Sequence, residues 1–113
     1  MTLAAVWRVE ERVYAIADTR ISRSAGNVLT EHGPKLLPVT LLCKQPGPTN
    51  FFDRIAFAAT FGFAYAGATL PALATHALAS TLFQNLIGVP GTPPPGLDAV
   101  SGGVAEIAQR YMR

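Results

Sequence analysis

The sequence predicts an α+β fold in which antiparallel β-hairpins precede two helices, and three observations carry that prediction. Strand-like alternation occupies the first eighteen positions and returns over 55–67, where bulky residues sit at 55, 57, 61, 63 and 65 and small ones between them. After Gly67 the apolar period changes to three and four residues. Turn-forming residues separate these runs, as at Ser24-Ala25-Gly26-Asn27 and over 88–96. Half of the 113 residues are hydrophobic and 14% are charged, against roughly 25% charged in ordinary soluble domains. That composition excludes a disordered chain, and the length fits one domain.

Leu3 to Val9 and Arg12 to Asp18 read as strands joined by a turn at Glu10-Glu11. A turn centred there places Thr2 opposite Asp18 or Thr19, and Val13, Ala15 and Ala17 on the face opposite to Tyr14, Ile16 and Asp18. The chain then turns through residues 24–27 and returns through Val28 to Thr30 toward Lys35. Thr2, Asp18, Arg20 and Lys35 are therefore expected at one end of a small sheet.

No charge occurs from Ile55 to Leu97, a length that would suffice to span a bilayer. The parity sorting of 55–67 argues instead for a buried strand, because a membrane helix has no reason to separate large from small residues by parity. Residues 70–86 follow as a helix, with Thr69 as N-cap, Pro71 in the first turn and Gly88 as the stop. The proline-rich run 88–96 is a stiff connector. Residues 97–112 form the second helix, with Val100, Val104, Ile107 and Tyr111 on one side and Gly102-Gly103 as a weak point that suits close helix packing.

Several function classes fall away. A net charge of +2 without a Lys/Arg cluster gives no footprint for nucleic acid. The single cysteine, Cys43, reads as a small buried hydrophobe. Neither His32, a surface-loop residue, nor His76, a helix residue with a satisfied ring, has partners at metal-ligand spacing, so no metal or cofactor is expected. Ser22 and Ser24 lack a triad pattern. The charged residues Arg8, Glu10 and Glu11 interrupt the opening apolar run, so no signal peptide is read and a cytoplasmic location is expected.

The convergence at the sheet end allows one specific chemistry. With Met1 removed, Thr2 would carry both a hydroxyl nucleophile and an α-amine able to act as its base, the amine's ordinary pKa being about 7.7–8.0. A neighbouring lysine ammonium depresses the pKa of both groups, and a carboxylate beside that lysine holds it in place. Backbone N–H groups at the Ala66-Gly67-Ala68 corner have the character of an oxyanion hole.

These residues resemble the N-terminal half of a proteasome β-type threonine peptidase, including the simpler bacterial enzymes of that type. The matches are Thr2, Ala17-Asp18-Thr19-Arg20, Pro34-Lys35-Leu36-Leu37 and Tyr65-Ala66-Gly67, and the sixteen-residue step from Thr2 to Asp18 is the family's own. The resemblance implies Thr2 as nucleophile, Asp18 and Lys35 as its assistants, Gly67 as oxyanion donor and Arg20 as structural support. It implies two helices packed on one face of half of a four-layer α-β-β-α sandwich. It further implies peptide or unfolded-protein substrates, a homo-oligomeric ring, an ATP-driven unfoldase as partner, and neither nucleic acid nor membrane. Two departures stand out: the step from Lys35 to Gly67 is longer than the family's, through an insertion around residues 43–50, and the family's second run of strands has no counterpart within 1–113. A non-catalytic structural or interaction subunit of the same fold is the alternative. Either way, a chain this apolar is expected to expose a sheet face and to need a partner or a second half.

Overall fold

The computed structural model describes residues 3–22, 27–50, 54–89 and 91–112. The elements run β1 (Ala4–Val9), β2 (Arg12–Ala17), β3 (Ile21–Ser22), β4 (Val28–Thr30), β5 (Leu36–Gln45), β6 (Arg54–Ala64), α1 (Thr69–Phe83), β7 (Leu86–Ile87) and α2 (Leu97–Tyr111). This is an α+β fold with antiparallel sheets and two helices. The chain divides into two compact units, Met1–Leu37 with Gly62–Thr69, and Pro38–Phe61 with Leu70–Arg113.

In the first unit β1 and β2 form the expected hairpin. Ala4 lies opposite Ala17 and Val9 opposite Arg12, the register that a turn centred between Glu10 and Glu11 dictates. Glu10 takes a φ of 53°, a left-handed conformation uncommon outside glycine, in which the chain reverses. Trp7 and Tyr14 face each other across the ladder and stack with centroids 5.7 Å apart. Neither face of the hairpin is covered: Val6 is 66% exposed on one and Ile16 is 61% exposed on the other. The short β3–β4 ladder pairs Ile21 with Thr30 and carries an irregularity before Ser22 meets Val28. The turn expected at 24–27 lies outside the described residues except for Asn27.

In the second unit β5 alternates as a half-buried strand should. Val39, Leu41 and Cys43 point inward and are buried, and Leu41 and Cys43 cluster with Val100 of α2. Phe61, Phe83 and Leu86 pack against that cluster. Both helices therefore contribute to one face of the β5 sheet. Cys43 is a free, buried thiol, as its sequence context suggests.

Two expectations are corrected. The 55–67 strand exists as Arg54–Ala64, but it is not buried: the bulky positions 61, 63 and 65 are half-buried, while Ile55, Phe57 and the small even positions are exposed. Its small-residue face has no covering layer among the described residues. The first helix ends at Phe83 rather than 86, because Leu86 and Ile87 leave it to pair in parallel with Cys43 and Lys44 as β7, which puts β5 between β6 and β7. Asn85 closes the helix, donating from Nδ2 to the Thr81 carbonyl at 2.7 Å. The loop that follows β5 is held by the Gly47 N–H on the Asn50 carbonyl at 2.9 Å.

None of the helices described is long and apolar enough to cross a membrane. Val6, Val9, Val13 and Ile16 of the β1–β2 hairpin are exposed, so an apolar sheet face is present there, as expected.

Candidate functional site

The open end of the β1–β2 hairpin builds the site. Continuing the ladder by one step brings Leu3 to Asp18. The Asp18 N–H donates to the Leu3 carbonyl at 3.0 Å and the Leu3 N–H donates to Asp18 Oδ1 at 2.9 Å. The other carboxylate oxygen, Oδ2, accepts from Lys35 Nζ at 2.9 Å. One carboxylate therefore ties the strand start to the lysine that enters from just before β5. Lys35 is only 5% exposed, a rare condition for a lysine without a paired anion. Burial of this cation is tolerable because the carboxylate meets it with a charge-assisted hydrogen bond.

The hydrogen bond from Lys35 lowers the Asp18 pKa from its ordinary 3.8, and the Leu3 N–H lowers it further, against a smaller opposing effect of burial. Asp18 is thus a carboxylate at neutral pH.

Lys35 is fixed from a second direction by the end of β6. The Tyr65 N–H donates to the Lys35 carbonyl at 3.3 Å, and the Tyr65 hydroxyl donates to the Pro34 carbonyl at 2.7 Å. Two residues on, Gly67 has a φ of +95° at the corner before α1, a conformation that glycine adopts without steric penalty. Lys35, Tyr65 and Gly67 line, with Arg20, Ser22 and Thr69, a cavity of about 180 Å³. That is smaller than the roughly 300 Å³ at which ligand pockets usually begin, and suits a reacting group or one side chain. A broader depression of about 770 Å³ lies beside Asp18, Arg20 and Glu31.

Of the residues singled out in the sequence, the fold brings together Asp18, Lys35, Gly67 and Arg20. Thr2 lies outside the described residues; the next residue in the chain, Leu3, is the one held by Asp18. Arg20 does not pair with Asp18 as a strand-end ion pair would. Its guanidinium reaches Glu31 at 2.9 Å, and the Thr19 hydroxyl donates to the Glu31 carbonyl. Sequence reasoning missed Glu31, although the signal was present: extending the β3–β4 register by one step places it opposite Arg20. Tyr65, Ser22 and Thr69 were also not assigned to the site.

Of the two histidines, His32 lines the broader depression beside Asp18 and His76 stays outside the site. His76 Nε2 lies 2.7 Å from the Pro38 carbonyl and 3.4 Å from Ser80 Oγ, in the second unit, and His32 is exposed. No group of three or more metal-ligating side chains occurs among the described residues. Comparison of the chain with protein-family models, with curated proteins and with solved structures gives no match.

Proposed function

We propose that the chain is an N-terminal-nucleophile threonine peptidase or amidohydrolase. Removal of Met1 frees Thr2. Its hydroxyl attacks the peptide carbonyl while its own α-amine takes the hydroxyl proton. The Lys35 ammonium, clamped by Asp18, favours the developing alkoxide, and the Gly67 N–H donates to the carbonyl oxygen as it becomes an oxyanion. The amine proton passes to the leaving amine, and water then hydrolyses the Thr2 acyl ester. A peptide or unfolded-protein substrate, a ring of identical chains, an ATP-driven unfoldase and a cytoplasmic setting belong to the same reading.

One observation supports it above the others. A buried lysine is clamped by the carboxylate that also holds the N–H of the residue following Thr2. The test is N-terminal sequencing of the purified chain, followed by a peptidyl electrophile that bonds to both the hydroxyl and the amine of an N-terminal threonine. A chain starting at Thr2 should form one adduct. Thr2→Ala should form none, and Lys35→Ala should label at least about a hundredfold more slowly. A chain that keeps Met1, or labels as well in Thr2→Ala, removes the proposal.

The exposed faces of the β1–β2 hairpin favour a second reading, a non-catalytic structural or interaction subunit. It predicts no adduct in any variant and unchanged assembly in Thr2→Ala.

A further inference from the structure

The second unit carries an open apolar groove of about 610 Å³ between α1 and α2. Its α1 wall presents Leu78 and Leu82, 36% and 49% exposed. Its α2 wall is formed by Gly103, Glu106, Ile107 and Arg110. On the same wall Glu106 and Arg110 form an exposed ion pair at 3.2 Å. Helix α1 has no charged residue and is apolar on nearly every side, a composition expected of a helix covered on more than one face.

We propose that this groove is a two-fold interface between copies of this chain. Both of its rows are self-complementary at the same four-residue spacing. One two-fold axis passing between Leu78 and Leu82 on α1, and between Glu106 and Arg110 on α2, sets each leucine against the other leucine of the partner. The same axis sets each Glu106 against the partner's Arg110. An isologous contact demands this reciprocity, in which a patch meets itself with charges reversed. The interface stands independently of the peptidase reading, since none of its residues lies near Thr2, Asp18 or Lys35 in the sequence and its test reads association rather than labelling.

Sedimentation of the full chain over a range of concentrations tests it, with Glu106→Arg and Arg110→Glu as variants. Each variant alone should self-associate at least about tenfold more weakly, because like charges then face across the axis. An equimolar mixture should form a one-to-one heterodimer at wild-type strength, since an all-basic row then meets an all-acidic one. An ion pair acting only within one helix cannot give that recovery. Leu82→Asp should abolish association, with far-UV circular dichroism confirming that it folds. A wild-type chain that stays monomeric, variants that associate as the wild type does, or a mixture no better than its parts each overturns the proposal.

Discussion

The β1–β2 hairpin and strand β5 are built from the same kinds of residue, alternating and largely apolar, yet they bury very different amounts. β5 buries Val39, Leu41 and Cys43, the last two in a cluster with Val100 of α2, whereas every residue of β1 is exposed. Among the described residues of the first unit, the buried ones are Gly33 and Lys35, a glycine and a cation; those of the second unit are apolar apart from Thr75. Alternation specifies a strand and its two faces, but burial depends on what the rest of the chain sets against each face. The second unit supplies helices for that purpose. The first unit spends its scarce burial on an ion pair, which costs desolvation and is a poor way to gain stability. A lysine buried where apolar side chains are left in water is better understood through chemistry than through packing.

The comparison is most easily broken at its two extremes. Leu41 is fully buried, and Leu41→Ala should cost about 2–5 kcal/mol through lost transfer energy and the cavity left behind. Trp7→Ala in the hairpin loses mainly the stack on Tyr14, worth about 0.5–1.5 kcal/mol. Urea denaturation of both variants at low protein concentration checks the contrast. A Trp7→Ala cost as large as that of Leu41→Ala would mean that the hairpin faces are covered in solution.

The ion pair gives a second, sharper test. Because the folded-state pKa of Asp18 is lowered from 3.8, its contribution is fully present above that value and is lost only as pH falls through the lower, folded pKa. NMR titration of the Asp18 carboxyl should therefore show a midpoint below 3.8. Lys35→Met removes the largest cause of the shift and should move the midpoint back up. A wild-type midpoint at or above 3.8 would deny the clamp.

Much of this fold was legible in the sequence, for local reasons. A two-residue turn at Glu10-Glu11 fixes the register of the whole β1–β2 ladder, and the change of period after Gly67 marks α1. β7 was not legible, because two residues carry no period; only the reach of Leu86 to Cys43 makes them a strand. Nor could parity reveal that the small-residue face of the 55–67 strand stays exposed, since the covering layer is a property of other segments. At the site, the convergence of Asp18 and Lys35 at one sheet end followed from the turns. Their pairing was anticipated from the chemistry such a convergence allows and from the resemblance, as no spacing rule joins residues so far apart in the chain. Glu31 was recoverable by extending a ladder and was overlooked because the intervening turn obscures the register.

The smallest effects lie in the Gly102-Gly103 pair of α2, which reads as one weak point in the sequence but is two different positions in the fold. A Cβ at Gly102 would meet nothing within 4 Å, whereas one at Gly103 would lie 3.0 Å from Cζ of Phe83. Gly102→Ala should stabilise by about 0.8–1 kcal/mol, the usual helix-propensity difference. Gly103→Ala gains the same propensity but must displace the tip of a ring that packs on the core cluster, and overpacking of that kind costs about 1–3 kcal/mol where the ring cannot give. The expected order is therefore a gain at 102 and no gain, or a small loss, at 103, measured as the difference in thermal midpoints. Equal gains at both would show that Phe83 moves freely, and that the α1–α2 contact is looser than the buried half of the comparison requires.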